Sequence, residues 1–360
     1  MTYPYLTIDL GKIEHNARTI VQLCDEHRIE VTGVTKVTCG SPEVARAMIR
    51  GGVTSIADSR FENIRRLHDA GIEVPLMLLR LPPLSGASET VSAVSVSLNS
   101  EPAVLKALSD AATDQGVVHE VIIMVDLGDL REGIWPDDLI SVVEEVLGYP
   151  GIRLSGIGAN LACFGGVVPS EETMSRLVAL AERVERRLGG ELKWLSGINS
   201  SGLDLVVSGD MPTRVNHARI GEAILLGRET THRKPWPGTH QDAFLLHAEV
   251  LELKRKPSVP LGEQGEDAFG NSPVFESRGS ILRALLNVGR EDVDVSGLMP
   301  VDERLSILGA SSGYLVVDVT AAENDVSLGD ELVFTLNYSA LLAAMTSEYV
   351  KKRYSTDKTV

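Results

Sequence analysis

From residue 11 to about residue 240 the chain alternates between two patterns. Short apolar runs rich in β-branched residues take turns with longer stretches of helical spacing. Such alternation commits a chain to repeated βα units around a parallel sheet, because each strand needs a crossover helix to return beside its neighbour. Candidate strands fall at 31–36, 53–57, 74–79, 94–98, 119–126, 152–161, 193–198 and 214–220, and helical spacing at 42–50, 60–70, 101–114, 136–147 and 169–188. Ser41-Pro42-Glu43 reads as an N-cap followed by proline in the first turn, and Pro169-Ser170-Glu171-Glu172 places carboxylates in another first turn. Eight strands over about 220 residues fit a (β/α)8 barrel, which takes about 250. A doubly wound open sheet is the runner-up, but its GxGxxG turn after the first strand is missing; that strand ends in Lys36.

Past residue 240 the pattern changes to strict alternation, at 243–255, 314–319 and 331–338, with Gly329-Asp330 as a turn. The expectation is therefore an α/β chain: a barrel over 1–240 and an all-β domain over 241–360, with an N-terminal strand at 4–10 that pairs with the β domain. The Gly/Pro-rich stretch 256–280 is too long for an ordinary connection and reads as a functional loop. Aromatic residues make up only 4% of the chain, so Val, Leu, Ile and Ala must build the core, which suits strands covered on both faces.

Charge and cysteine content remove whole classes of function. With 34 Lys+Arg against 50 Asp+Glu, the net charge of -16 argues against nucleic acid and anionic lipid as partners. No apolar run reaches a membrane span of about 20 residues, and the first ten residues lack the pattern of a signal peptide. Cys24, Cys39 and Cys163 are too few and too scattered for a disulfide framework or a zinc ribbon, which points to a reducing cytoplasm. The eight histidines show no HxH or HxxxH pair, so no metal site is expected.

Lys36 is the sharpest candidate. A lysine at the end of a buried strand either reaches out to the rim or is used there, because an apolar mouth lowers its pKa and frees its amine. Catalytic residues of barrels sit at this end of the strands. Asn199-Ser200-Ser201-Gly202 reads as an N-cap or as an anion site after strand seven. Arg219-Ile220-Gly221, after strand eight, offers a cation to a ligand or a surface pair to Glu222. Asp126 to Gly133 packs three carboxylates and Arg131 into one turn, either as a solvated loop or as part of a site. Cys39 and Cys163 lie near strand ends, where inert burial is the plainer reading.

In this order, the segments Val34-Thr35-Lys36-Val37-Thr38-Cys39-Gly40, Ala57-Asp58-Ser59-Arg60, Asp126 to Gly133, Gly158-Ala159-Asn160-Leu161-Ala162-Cys163-Phe164-Gly165, Gly197-Ile198-Asn199-Ser200 and Asn216-His217-Ala218-Arg219-Ile220-Gly221 resemble the alanine/ornithine racemase-like branch of the fold-type III pyridoxal-phosphate enzymes. Ala310-Ser311-Ser312 and Asn337 to Leu342 extend the resemblance into the tail. It implies an amino-acid racemase that works by α-proton abstraction and return, as a homodimer in which the β domain caps the partner's barrel. By the same resemblance, Lys36 binds pyridoxal phosphate, Ser200 with Asn199 and the N–H groups of Ile220 and Gly221 hold its phosphate, and Arg219 faces its ring nitrogen. Arg131 lies near its phenolic oxygen, and Asn160 stands where alanine racemases place a histidine.

The resemblance departs at the second proton donor. Phe269 stands where alanine racemases present a tyrosine from the partner, Cys39-Gly40 replaces another tyrosine, and Met124 replaces a modified lysine. Tyr314 is the candidate for the second acid/base, with Cys39, Cys163 and Asp267 as alternatives. Asp129, Glu132 or Asp267 near the mouth favours a cationic substrate such as ornithine or lysine over alanine. A non-catalytic pyridoxal-phosphate-binding protein is the competing reading. A related lyase is disfavoured, because its metal-binding His-x-Cys pair late in the chain is absent.

Overall fold

A computed structural model describes residues 4–355 of the 360. Leu10–Gln241 form one compact unit; strand β1 (Tyr5–Asp9) and the chain from Asp242 onward belong to the other.

The first unit is a closed parallel barrel of eight strands. They are β2 (Glu30–Val34), β3 (Ser55–Asp58), β4 (Leu76–Leu78), β5 (Val96–Asn99), β6 (His119–Met124), β7 (Ile152–Gly158), β8 (Trp194–Ile198) and β9 (His217–Ile220). β9 closes the ring on β2, with Arg219 opposite Thr32. All eight strands expected from the alternation are present, as is the (β/α)8 architecture. The helices follow their sequence signals. Ser41 caps Pro42–Arg50 by accepting from the Val44 N–H at 3.3 Å. Ser170 and Thr173 form a reciprocal capping box at the start of Glu171–Leu188, and Gly189 ends that helix in the left-handed region.

The barrel interior is two-sided. Val34, Ala57, Met77, Val96, Leu98, Ile122 and Met124 pack with Trp194 into an apolar cluster. Around β8 and β9 the inward positions are polar: Ser196, His217 and Arg219 are all buried. β7 makes room with glycine, since a Cβ at Gly156 would stand 2.4 Å from the Trp194 carbonyl oxygen.

The second unit is an eight-stranded sheet. β10 (Phe244–Pro257) is its backbone, paired antiparallel with β11 (Ser280–Leu286). The path continues through β12 (Leu298–Pro300), β13 (Ser306–Ala310), β14 (Leu315–Asp318) and β15 (Glu331–Leu336) in the order β12-β15-β10-β11-β14-β13. β1 pairs antiparallel with β10 and parallel with β16 (Lys351–Ser355). The unit is not wholly strand. The run read as a strand over 331–338 stops at Leu336, because the Asn337 side chain accepts from the Ala340 N–H at 2.9 Å and caps a nine-residue helix, Tyr338–Thr346. The long loop between β10 and β11 is pinned at its base, where Ser258 accepts from the Arg278 N–H at 2.7 Å and donates its own N–H to Gly279 at 2.8 Å.

Candidate active site

Parallel strands deliver their C-terminal ends to one rim, so the residues that follow β2, β6, β7, β8 and β9 share the same mouth. Lys36 opens a short 3-10 turn, Lys36–Thr38, just after β2. Cys39 and Gly40 then take left-handed conformations, and a Cβ at Gly40 would lie 2.7 Å from that of Asn63. Lys36 keeps solvent access. The protein crowded around its amine nonetheless disfavours the ammonium. Burial is the main cause that lowers its pKa; Cys163 opposes this, the Arg131 guanidinium adds to it, and Asp58 and Glu132 oppose it.

Asp58, which closes β3, fixes the turn that carries Lys36. Its carboxylate accepts from the Thr35 hydroxyl at 2.8 Å, the Asn63 amide at 2.8 Å, and the Ser59 and Arg60 N–H groups at 2.6 and 3.2 Å. Burial raises its pKa, and these four donors pull against that rise. In the sequence Asp58 stands out only as part of the segment Ala57-Asp58-Ser59-Arg60. Its signal was there: an acidic residue ends a buried strand, opposite the strand that leads to Lys36.

After β6, Asp126 folds the loop back on itself by accepting from Gly128 at 2.8 Å and Leu130 at 3.2 Å. Gly133 has a φ of 141°, and a Cβ there would sit 2.4 Å from the Asp126 nitrogen, so only glycine closes this loop. The Arg131 guanidinium pairs with the Glu132 carboxylate and donates to Cys163 Sγ at 2.6 Å. Cys163 is thus exposed beside a cation rather than buried and inert. Asp129 is buried and accepts from the N–H groups of Cys163, Phe164 and Val167 at 3.3, 2.8 and 3.2 Å. It shapes the loop after β7 and is not the substrate-facing carboxylate expected. Asp267, in the second unit, likewise accepts from Phe269 and Asn271 N–H groups, at 2.8 and 2.9 Å.

Three more candidates meet at the ends of β7, β8 and β9. Asn199 accepts from the Ser201 N–H at 2.8 Å and donates to the Leu161 carbonyl at 2.8 Å and the Asn160 side chain at 3.4 Å. Ser200 is buried, and its Oγ accepts from the Ala223 N–H at 3.1 Å, which leaves its hydroxyl proton for a ligand. Ile220 and Gly221 lead into the turn Glu222–Leu225. Arg219 does not pair with Glu222, which takes Arg233 at 2.5 Å instead. Its guanidinium donates to the Ser196 carbonyl at 2.8 Å, the Ser196 hydroxyl and the Ala159 carbonyl at 2.8 Å. Burial pushes its pKa down to about 10, with Glu132 opposing and Arg131 adding, so it stays charged at neutral pH.

Tyr314 belongs to the other unit. It precedes β14 in a turn closed by the Ser311 N–H donating to its carbonyl at 2.9 Å, and its side chain is half exposed. Among the described residues one group could approach a metal: ligand atoms of Asp204, Glu229 and His232 lie within 4.8 Å of one another. The Glu229 carboxylate is already occupied by the N–H groups of Thr231, His232 and Lys234, at 2.6 to 3.0 Å.

Residues 8–229 match the family model described as alanine racemase, N-terminal domain. An ornithine racemase from Acetoanaerobium sticklandii is 42% identical over 351 residues, covering 97% of this chain and 99% of the relative. A lysine racemase from Thermotoga maritima is 41% identical over 354 residues, covering 98% and 99%. Among solved structures, the alanine racemase from Bartonella henselae with covalently bound pyridoxal phosphate superposes with a TM-score of 0.75 at 18% identity, covering 99% of this chain and 100% of that one. The family model spans most of the barrel, and the racemase relatives span nearly the whole chain: the protein belongs to the alanine racemase family.

Proposed function

We propose that this chain is a pyridoxal-phosphate-dependent racemase of amino acids with a cationic side chain, ornithine or lysine among them. The observation that carries the reading is the shared rim, with an amine of lowered pKa at Lys36, a fixed Arg219 guanidinium and a buried Ser200 hydroxyl. These residues fit the cofactor in kind: an amine for its aldehyde, a hydroxyl for its phosphate, and a cation with spare N–H groups for its ring nitrogen. When bound, pyridoxal phosphate supplies an electron sink that acidifies the α-C–H. The protein does the rest. The Lys36 amine, poised toward its neutral form, takes or returns the α-proton on one face. Arg219, always charged, would disfavour a proton on the ring nitrogen of a bound cofactor, which would temper the sink and favour simple proton exchange. Asp58 and Thr35 hold the Lys36 turn in place.

The opposite face needs a second acid/base. Tyr314 of a partner subunit in a cytoplasmic homodimer is our assignment, and the loop between β10 and β11 is suited to wall that partner's site. Cys163 is the second reading, favoured by its contact with Arg131 and its electrostatic influence on Lys36. Tyr314→Phe is expected to lower the racemisation rate by about 100-fold or more, the ordinary scale of a general acid. A Tyr314→Phe enzyme at full rate, with Cys163→Ser inactive, moves the role to Cys163.

The two substrates follow from the relatives and from the charge of -16, which steers cations toward the molecule. Glu132 is tied to Arg131, so selection by a free carboxylate of the barrel loops is not part of the proposal. Single enantiomers of ornithine, lysine, arginine, alanine and serine, incubated with purified protein and pyridoxal phosphate, test it by chiral chromatography. Inversion of ornithine or lysine ahead of alanine is expected. Bound cofactor with no inversion of any of them overturns the racemase reading in favour of a non-catalytic cofactor carrier.

A further inference from the structure

Ser55, Thr32, His217 and Ser196 form a buried line of hydrogen bonds that ends on Arg219. Thr32 Oγ1 lies 2.6 Å from Ser55 Oγ and 2.8 Å from His217 Nε2, and His217 Nδ1 lies 2.6 Å from Ser196 Oγ. His217 and Arg219 are two apart on β9, so both face inward. The direction of the line follows from the arginine, which has only protons to give. Arg219 donates to Ser196 Oγ, and the Ser196 hydroxyl proton then has one remaining partner, His217 Nδ1. Nδ1 is therefore bare and the ring proton sits on Nε2, donated to Thr32, whose own proton goes to Ser55.

We propose that His217, as the neutral Nε2–H tautomer, is a positioning residue for Arg219: its bare Nδ1 accepts the hydrogen bond of the Ser196 hydroxyl and so turns the Ser196 lone pairs toward the guanidinium. Burial pushes the imidazole pKa down to about 3, with Arg219 and Lys193 adding, so no second cation forms beside the arginine. Ser196 and Ala159 take three of the five guanidinium N–H groups. The other two are held in a fixed plane for the ring nitrogen that the proposed function places there, and the inference rests on that reading.

The test uses the full-length protein, freed of cofactor and titrated with pyridoxal phosphate. His217→Leu removes the acceptor, Ser196→Ala removes the hydroxyl with little change of volume, and His217→Asn keeps an acceptor near the Nδ1 position. His217→Leu and Ser196→Ala are each expected to weaken cofactor binding about 10-fold, and the double variant by about the same 10-fold, because both break one chain. His217→Asn should recover most of the loss. In the cofactor-free protein labelled with 15N-histidine, His217 should show a bare Nδ1 and a protonated Nε2. Additive losses, unchanged binding in Ser196→Ala, or a proton on Nδ1 overturns the relay while cofactor binding by the wild type stands. A wild-type chain that binds no pyridoxal phosphate overturns the proposed function and the relay's purpose together, even with the Nε2–H tautomer in place.

Discussion

Lys36→Ala is expected to lower racemisation by about 10,000-fold or more, because one side chain carries two duties. It is the candidate amine for the cofactor's aldehyde on this rim, and a positioned acid/base alone contributes about 100- to 10,000-fold. The variant should also lose the cofactor band of the native enzyme and fail to retain cofactor after borohydride treatment. The barrel should survive, since Lys36 keeps solvent access and follows β2 rather than lying in it. Melting curves of the two proteins are the control. Lys36→Arg separates the duties further: it keeps a cation at the mouth but offers no amine of adjustable pKa, so it should be as inactive as the alanine variant. Substantial turnover by Lys36→Ala, or cofactor still fixed to it by borohydride, would place the chemistry on another group.

The barrel was legible because strand and helix periods differ and because eight repeats give one signal many chances to show. Ser41, and the carboxylates of Glu171 and Glu172 in a first turn, named their helices through short-range chemistry alone. The strand over 331–338 misled because Asn337 and Tyr338 continue its alternation by composition, while the Asn337 cap is decided by its own hydrogen bond to Ala340. The site was legible as single residues and not as partnerships. Lys36, Ser200 and Arg219 announce themselves at strand ends, whereas the uses of Asp129 and Glu132 depend on loops that meet only in three dimensions. Asp129 read as a substrate carboxylate because sequence shows its charge but not the three N–H groups that consume it. His217 shares with the seven other histidines the lack of a metal-binding pattern, and in sequence it stands out only as part of the segment that ends in Arg219. Its informative spacing is the two-residue step to Arg219, which puts both side chains on the inward face of β9.

The second large effect is loss of stability in mild acid, expected at about 4 kcal/mol between pH 7 and pH 5 from two buried histidines. His217 is held at about 3 by burial, then by Arg219 and Lys193, and His119 at about 4 by burial, with Glu120 opposing. Both are buried and hydrogen-bonded as neutral rings, His119 to Ser97 at 2.8 Å. An unfolded histidine titrates near 6.5, so between pH 6.5 and the folded values the unfolded chain binds more protons. The sign follows: each ring contributes stability that is complete above about 6.5 and falls away as pH drops toward 4 for His119 and 3 for His217. Two units below neutrality remove about 2 kcal/mol for each ring. Urea unfolding at pH 7, 6 and 5 measures the slope, and variants apportion it. His119→Gln and His217→Asn should each be less stable than wild type at pH 7 yet lose less between pH 7 and 5, each removing about half of the histidine contribution. Equal slopes in wild type and both variants would mean that neither ring is held neutral by the fold. For His217 that outcome would also put a second cation beside Arg219, in a barrel interior that holds an apolar cluster of Val, Leu, Ile, Met, Ala57 and Trp194. The polar side of the interior then links acid stability to the active site: the same ring whose neutral form stabilises the barrel is the one that accepts from the Ser196 hydroxyl under Arg219.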